Sequence, residues 1–394
     1  QKLPQIKQLY KNLVNEIGYF GFIKILWKLG GIKRKVIFRT LKMKKKWPFK
    51  MPEEYLSMKI LDLREMYGIK VLLPEEMKYI PLKRVNWLKK VLFLFFIFII
   101  IPASLYLNLN RENIDISEFR LNSGYEEVKL SDGITSYKDI GDKNNKVIIL
   151  VHGATFGSLA YEEYVNVFVE NNYRVITYDQ YGRGYSDRIH SNVSIELMEK
   201  QLKELIEHCE VEDVILYGIS FGASVVAKYA SNNPDNISFI GYQVPLINSA
   251  NIPLLAILKI PLYGDLLIRG FLVPSVLKRI EEHEDLMSKE LLDHYIKQFE
   301  VKGTENFFKK FFLGSAMSNR LKDHTIIGNN SISSYFAYAE DDTEIDSKLV
   351  EAAIKKYKNS IVKKYSGGHF FSAGIEKEVA QEFVDSIKEG LKHY

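Results

Sequence analysis

The sequence predicts an α/β protein in which a mostly parallel, eight-stranded sheet carries helices on both faces and follows a transmembrane helix. Two patterns indicate this architecture. After residue 110, short β-rich runs alternate with amphipathic helical segments. Before residue 110 lies a long run without charge. The 394 residues are 46% hydrophobic and 26% charged, which is the composition of a folded protein.

Charge is divided unevenly along the chain. Residues 1–90 hold 22 Lys and Arg against 7 Asp and Glu, whereas residues 91–394 hold 32 against 42. Apolar and basic residues alternate in the first part, which predicts a basic amphipathic region lying on a membrane surface, with a small helical domain as the alternative. No nucleic-acid-reading motif accompanies the charge, so nucleic acid is not an expected partner.

Residues 91–109 read VLFLFFIFIIIPASLYLNL and contain no charge. This length matches the roughly 20 residues that cross a hydrocarbon core as a helix, so we predict a single-pass anchor, with a buried core helix as the alternative. A secretory signal fits poorly because the run begins far from the start of the chain. Five basic residues shortly before the run and three after it predict a cytoplasmic amino terminus and a carboxyl-terminal domain on the outer face.

Eight candidate strands follow, and the helix Ile195–Cys209 has apolar residues at helical spacing. Between Pro245 and Asn330 the strand pattern stops, which predicts a helical cap over about 246–330 within a domain of residues 113–394. The predicted strands are Glu127–Leu130, Thr135–Asp139, Val147–Val151, Tyr173–Tyr178, Val214–Tyr217, Phe239–Gln243, Ser334–Tyr338 and Ile361–Tyr365.

The most specific motif is Gly218-Ile219-Ser220-Phe221-Gly222, a G-x-S-x-G between an apolar strand and a helix. A tight turn in this context exposes its serine, and glycines are needed where a side chain would collide with the neighbouring strand and helix. We therefore predict that Ser220 is a nucleophile. The alternative is a serine that only packs in a strand-to-helix turn.

A serine hydroxyl needs a base, and a carboxylate must orient that base. His369 lies in a glycine-rich loop after the last strand, between aromatic residues, and is the predicted base. Asp341 and Asp342 follow the preceding strand, and one of them is predicted to orient His369. Six other histidines lie in polar or helical contexts typical of solvated side chains: His190, His208, His283, His294, His324 and His393.

Residues 113–394 resemble the capped α/β-hydrolases, near their carboxylesterases, monoacylglycerol lipases and carbon–carbon bond hydrolases. The resemblance rests on the elbow at Ser220, His152-Gly153-Ala154, the D-x-x-G-x-G-x-S run that begins at Asp179, the acid at Asp342 and the terminal Gly-His at His369. Ala339 replaces the usual glycine before the acid, which leaves Asp341 as an alternative to Asp342.

The resemblance implies that the main-chain N–H groups of Ala154 and Phe221 hold the oxyanion and that His152 is structural. The expected reaction is hydrolysis of a carboxylic ester through an acyl-enzyme on Ser220, with no cofactor or metal. An apolar cap favours a small-molecule or lipid-like ester as substrate, and the alternative is that its apolar residues only pack the cap onto the sheet. The cap residues in question include Leu254, Leu255, Ile257, Leu258 and Phe271. The alternatives are an acyltransferase or thioesterase with the same triad, or a non-catalytic membrane scaffold; the sequence makes no prediction of oligomeric state.

Overall fold

The computed structural model describes residues 87–249, 253–282 and 284–393. The chain divides into two compact units, Gln1–Lys90 and Val91–Tyr394. The predicted basic region of residues 1–90 therefore lies outside the described residues, except for residues 87–90, whose backbone is helical.

All eight predicted strands form, and the central ones are apolar throughout because both of their faces are covered. They are β1 (Glu126–Lys129), β2 (Ile134–Ile140), β3 (Val147–Val151), β4 (Arg174–Tyr178), β5 (Val214–Ile219), β6 (Ile237–Gln243), β7 (Ser334–Ala339) and β8 (Ser360–Tyr365).

The strands form one sheet in the order β1-β2-β4-β3-β5-β6-β7-β8. Only the β1–β2 and β2–β4 pairs are antiparallel, and the other five are parallel. The predicted fold class, an α/β protein with a mostly parallel eight-stranded sheet, is confirmed. Because parallel strands end at one edge, the loops after β3, β5, β7 and β8 can meet there.

Thirteen α-helices lie in the described part of the chain. They are α1 (Trp87–Phe95), α2 (Ile101–Asn108), α3 (Ile116–Arg120), α4 (Glu162–Glu170), α5 (Ile195–His208), α6 (Phe221–Asn232), α7 (Tyr263–Leu267), α8 (Val273–Glu281), α9 (Lys289–Lys297), α10 (Thr304–Leu313), α11 (Leu321–Asn329), α12 (Ser347–Ile354) and α13 (Glu376–Gly390).

The sheet separates two apolar layers. In β3, Val147, Ile149 and Val151 contact the layer that holds α5, α6, α11 and α12. The alternate residues Ile148 and Leu150 contact the layer that holds α4 and α13. Successive strand side chains point to opposite faces, so a fully apolar strand joins both layers. The sheet is thereby fixed from both sides.

The region predicted as a cap is helical in its described parts. Helices α7 to α10 share a third apolar cluster that includes Leu258, Ile268, Tyr295 and Phe308. A π-helical turn, Ile268–Leu272, joins α7 to α8 into one continuous helix. Helix α11 packs instead against α6 in the layer beside the sheet. The cap helices are therefore α7 to α10.

The apolar run predicted as a membrane anchor is also helical. Helices α1 and α2 are joined by the π-helical turn Phe96–Ile100 into one continuous helix, called here the apolar helix. By length and composition, Val91–Asn108 could cross a membrane, and 6% of it is buried. One helix that meets this test is weak evidence for a span, because core helices and signal sequences meet it as well.

Candidate active site

Ser220 stands at the turn between β5 and α6 with a backbone that side chains rarely adopt. Its φ is 53° and its ψ is −116°, a conformation that costs on the order of 1–3 kcal/mol and persists only when its surroundings fix it. The Ser220 N–H donates to the Gln243 carbonyl at 2.9 Å, and the Ser220 carbonyl accepts from the N–H groups of Ala223 and Leu246, each at 3.1 Å. The strained turn is held from both sides.

The glycines on either side of this turn have no room for a side chain. A Cβ on Gly222 would lie 2.0 Å from the Val151 carbonyl oxygen, and one on Gly218 would lie 2.7 Å from the Ala223 Cα. Both obstacles are backbone atoms, which cannot rotate away. The reason the motif requires glycine is therefore the close approach of β3 and α6.

His369 lies between Ser220 and Asp342. Its Nδ1 is 2.8 Å from Asp342 Oδ2, and its Nε2 is 3.1 Å from Ser220 Oγ. A carboxylate can only accept, so Nδ1 carries the proton and Nε2 accepts from the serine hydroxyl. This is the tautomer that a general base acting on Ser220 requires.

Asp342 contacts His369, whereas Asp341 does not. The second oxygen of Asp342, Oδ1, accepts from the N–H groups of Glu344 at 2.7 Å and Ile345 at 3.1 Å, and its side chain is 3% exposed. Asp341 is exposed and accepts from the N–H groups of Gly367 and Gly368 at 3.1–3.2 Å. These bonds lower the pKa of the Asp341 carboxyl. Asp341 thus holds the loop that carries His369.

The loop after β3 approaches the serine closely. A Cβ on Gly153 would lie 3.4 Å from Ser220 Cβ, and Gly153 and Ala154 line the same cavity as Ser220 and His369. Among the described residues, no acceptor binds the main-chain N–H of Ala154 or of Phe221. Two main-chain donors beside the serine can bind a developing oxyanion.

His152 is a buried, neutral residue of this loop. The Gln180 N–H donates to its Nε2 at 2.8 Å, so its Nδ1 carries the proton and donates to the Gly153 carbonyl at 2.8 Å. Burial lowers its pKa to about 4. His152 orients the peptide next to Ala154 and does not reach the serine through any hydrogen bond described here.

Arg183 is a buried cation that the sequence analysis did not identify. Its Nε donates to the Ala154 carbonyl at 2.7 Å and its Nη1 to the Tyr181 carbonyl at 3.0 Å. The guanidinium carbon lies 4.4–5.8 Å from the centres of four phenylalanine rings, among them Phe221 and Phe311. Burial lowers its pKa to about 9. Arg183 therefore fixes Ala154 through its carbonyl oxygen and places positive charge near both proposed oxyanion donors.

Gln243 is a second residue that the sequence analysis missed. Its Oε1 accepts from the hydroxyls of Tyr164 at 3.0 Å and Tyr217 at 2.7 Å, and its Nε2 donates to Ser372 Oγ at 2.9 Å. A buried glutamine at the end of β6, after the mainly apolar run Phe239–Tyr242, was the available signal. It ties the strand after the elbow to the loop after His369.

A cavity of about 240 Å³ opens onto Ser220 and His369. Its apolar wall includes Phe156 after β3 and, from the cap helices, Val276, Leu291 and Tyr295. Three residues predicted to face the substrate, Ile257, Leu258 and Phe271, do not line it. The side chains of Leu254 and Leu255, predicted with them, lie outside the described part of the chain. Leu258 is fully buried in the cap cluster, while Ile257 and Phe271 are 36% and 53% exposed on the surface. A helical pattern identifies an apolar segment but not the direction in which each side chain packs.

Two histidines predicted as solvated are buried instead. His294 and His324 are 5% and 1% exposed. The His294 ring packs against the rings of Phe119 and Tyr185, and burial lowers the pKa of both histidines. Polar neighbours in sequence misled the prediction because helices turn these rings toward the core. Within the described residues, no group of three or more His, Cys, Asp or Glu could hold a metal ion.

Comparisons with known proteins agree with this fold. Residues 142–274 match the model of a family described as serine aminopeptidase S33, a segment that includes Ser220 but ends before Asp342 and His369. A putative non-heme chloroperoxidase of Synechocystis sp. is 31% identical over 24% of this chain and 33% of that protein. A bifunctional esterase/perhydrolase of Acinetobacter calcoaceticus is 26% identical over 29% and 41%. The chain spans about a third of the length of the first curated relatives it matches.

Solved structures extend the likeness to two thirds of the chain. A bromoperoxidase from Bacillus anthracis has a TM-score of 0.57 at 19% identity, covering 67% of this chain and all of that one. An esterase from Exiguobacterium antarcticum has a TM-score of 0.55 at 16% identity, covering 66% and 98%. An α/β hydrolase from a deep-sea metagenome library, MGS-M2, has a TM-score of 0.55 at 16% identity, covering 67% and 97%. The chain therefore has the α/β-hydrolase fold.

Proposed function

We propose that this chain, whose residues 113–394 carry the α/β-hydrolase fold, is a serine hydrolase that cleaves carboxylic esters. The observation that supports this most strongly is the pair of hydrogen bonds linking Ser220 to His369 and His369 to Asp342. These three side chains come from the loops after β5, β8 and β7, so their convergence depends on the tertiary fold. Their order and tautomer suit nucleophilic attack by the serine.

In the proposed reaction, Ser220 Oγ attacks the ester carbonyl while His369 Nε2 takes its proton. Asp342 stabilises the imidazolium, and the N–H groups of Ala154 and Phe221 bind the oxyanion, each such donor contributing about 3–4 kcal/mol to a transition state of this kind. His369 then protonates the leaving alcohol. The same nitrogen then takes a proton from a water molecule, which attacks the acyl-enzyme and releases the carboxylic acid. His369 returns that proton to Ser220 Oγ.

The cavity supports an apolar acyl group as the part of the substrate that is recognised. Its volume of about 240 Å³ is just below the roughly 300–1,000 Å³ of sites for drug-sized ligands. Phe156, Leu291 and Tyr295 offer apolar surface beside Ser220. A single acyl chain fits such a cavity better than a sugar or a folded peptide.

The apolar helix supports attachment to a membrane. We propose that it anchors the enzyme there with the amino terminus on the cytoplasmic side, and that the substrate is a lipid-like ester taken from the same membrane. Residues 1–90, with their excess of basic side chains, would lie against anionic lipid headgroups.

Labelling with a fluorophosphonate probe tests the chemistry. The wild-type protein is expected to become labelled and to hydrolyse p-nitrophenyl esters, and Ser220→Ala is expected to lose both properties. Retention of ester hydrolysis by Ser220→Ala would contradict the proposal. Rates on esters from acetate to palmitate test the acyl preference, and a maximum at acetate would count against a lipid-like substrate.

Product analysis tests which acceptor takes the acyl group. The acyl-enzyme on Ser220 could pass its acyl group to an alcohol instead of water, or form from a thioester. Hydrolysis predicts free acid as the main product even when an alcohol is added in excess. Accumulation of a new ester would assign the chain to the acyltransferases.

A further inference from the structure

A hydrogen bond joins the apolar helix to the cap helices close to Pro102. The Tyr263 hydroxyl, at the start of α7, donates to the Phe98 carbonyl at 2.9 Å. Phe98 lies in the π-helical turn between α1 and α2, where the α-helical pattern of hydrogen bonds is interrupted. Pro102, which follows this turn, is the buried residue of α2. A cap side chain therefore binds the apolar helix where its backbone is irregular.

A second polar contact joins the cap to the carboxyl-terminal end of the apolar helix. Arg269 Nη1 donates to the Tyr106 carbonyl at 2.6 Å, and the guanidinium carbon lies 3.9 Å from the centre of the Tyr106 ring. Arg269 is 4% exposed and forms an ion pair with Glu305 at 2.6 Å. A cation at a helix carboxyl terminus also interacts favourably with the helix dipole.

These two contacts place the continuous helix formed by α7 and α8 alongside the carboxyl-terminal half of the apolar helix. Phe98 and Tyr106 are about 12 Å apart along their helix, and Tyr263 and Arg269 are about 9 Å apart along theirs, at a rise of 1.5 Å per residue. Farther along, a Cβ on Gly270 would lie 3.3 Å from Leu109 Cδ1. The two helices therefore run side by side in the same direction.

This arrangement fixes the depth of the cap in any membrane that the apolar helix crosses. Ten residues separate Phe98 from Asn108, which is about 15 Å of helix, or half of the roughly 30 Å hydrocarbon core. If Val91–Asn108 spans the membrane, Tyr263 lies near the middle of the bilayer. The helical residues 263–271, which run from this depth toward the end of the apolar helix, then lie within one leaflet.

The surface of this part of the cap has the composition that such a position requires. Ile257, Ile260 and Phe271, called here the cap patch, are 36%, 51% and 53% exposed. Of the 19 exposed large hydrophobic residues in the described chain, 12 lie on the apolar helix and three form the cap patch. These 15 residues lie on two segments that contact each other, and grouped exposed apolar residues mark an interaction surface, whereas single ones do not.

Two of the three charged residues beside the cap patch are paired. Asp265 of α7 forms an ion pair with Lys309 at 2.6 Å, and Arg269 is paired with Glu305. Lys259 is exposed, and because a lysine side chain is too short to reach the headgroups from the middle of the bilayer, its charge costs free energy on docking. Paired charges can enter an apolar environment at a much lower cost than isolated ones.

We propose that the cap patch is a membrane-docking surface that, together with the apolar helix, seats the cap helices in the acyl-chain region of the leaflet on the hydrolase side. This inference rests on the membrane attachment in the proposed function and adds the surface that touches lipid. The helix that carries Phe271 continues into α8, whose Val276 lines the cavity beside Ser220. An ester dissolved in the leaflet then reaches the cavity along the cap without crossing water.

Depth-dependent quenching in vesicles tests the docking. Cys209, the one cysteine of the sequence, is first replaced by serine in the full chain. Single cysteines at positions 260 and 271 then carry an environment-sensitive fluorophore, and Val362, an apolar residue of β8 that is 36% exposed, provides the control position. In phosphatidylcholine vesicles, we expect blue-shifted emission at 260 and 271 and aqueous emission at 362. A nitroxide deep in the acyl chain should quench 260 more than 271.

The outcomes separate the docking from the anchoring. Aqueous emission at 260 and 271 in protein that floats with the vesicles would overturn the docking and leave the anchor intact. Failure to float with the vesicles would overturn both. A wild-type chain without esterase activity would contradict the proposed function, while the quenching measurement would still decide the docking.

Substitution of the cap patch tests its consequence for the substrate. Ile260→Asp and Phe271→Asp lie outside the cavity, so we expect hydrolysis of a water-soluble acetate ester to stay within about twofold of wild type, and hydrolysis of a long-chain ester dissolved in vesicles to fall at least tenfold. Leu121→Asp, at a 71% exposed position outside the cap helices α7 to α10, should affect neither rate. Equal losses on both esters would overturn the role of the patch in lipid access.

Discussion

Replacing Asp342 by asparagine should change which nitrogen of His369 carries the proton. Asp342 Oδ1 accepts two main-chain N–H groups, from Glu344 and Ile345, so the oxygen of an asparagine amide would be held there. Its NH₂ would then face His369 Nδ1, which must become an acceptor. The ring proton moves to Nε2, which can no longer take the proton of Ser220 Oγ.

The size of the effect follows from this geometry. The Asp342 side chain is 3% exposed, so water cannot replace the lost acceptor, and rotating the amide would sacrifice two main-chain hydrogen bonds. For a serine triad in which only the tautomer is wrong, the loss in kcat is about 10⁴-fold, or about 5.5 kcal/mol. We expect a loss of this order for Asp342→Asn with little change in KM.

The neighbouring aspartate provides the matched control. Asp341 is exposed and holds the loop of His369 through the N–H groups of Gly367 and Gly368. Asparagine retains an oxygen that can accept these bonds, so Asp341→Asn should keep kcat within about fivefold of wild type, as is usual for exposed polar substitutions. The assay is steady-state hydrolysis of p-nitrophenyl esters, with a thermal melt to confirm that both variants fold. A larger loss for Asp341→Asn than for Asp342→Asn would refute the assignment of the acid.

Burial lowers the pKa of His324 from 6.5 to about 3, so at pH 5 the unfolded chain binds a proton that the folded chain does not. The contribution of this group to the unfolding free energy is therefore present above pH 6.5 and falls by about 2 kcal/mol between pH 7 and 5. Denaturant titrations of His324→Phe should lack this dependence on pH. Gly222→Ala would place a Cβ 2.0 Å from the Val151 carbonyl oxygen, so we expect the unfolding free energy to fall by several kcal/mol, on the scale of severe overpacking. Gly270→Ala meets only the end of the Leu109 side chain at 3.3 Å and should be near neutral in the same titration. Arg183→Lys keeps the charge but loses the planar guanidinium that donates to the carbonyls of Ala154 and Tyr181. We therefore expect kcat to fall about tenfold with KM unchanged, as for weakened oxyanion binding. An effect confined to KM would contradict this role.

Much of the fold could be read from the sequence because its signals are local. Each strand is a short β-rich run, and each boundary was placed within two residues of the observed one. The turn at Ser220 was recognised from five consecutive residues. His369 was distinguished by its position in a glycine-rich loop after the last strand. These features depend on backbone conformation and on neighbours along the chain.

Contacts between residues far apart in the sequence determined the features that the sequence analysis did not predict. Asp341 and Asp342 are adjacent in sequence, and only the approach of the loop after β8 places His369 beside Asp342. Arg183 looks like a surface loop residue until four phenylalanine rings from α6 and α10 enclose it. The exposure of Ile260 and Phe271 and the burial of His324 depend on which side of a helix meets another element. The sequence by itself determined the elements and their chemistry, whereas packing between residues far apart in the chain determined which side chains meet, because burial and hydrogen bonding are properties of the assembled surfaces.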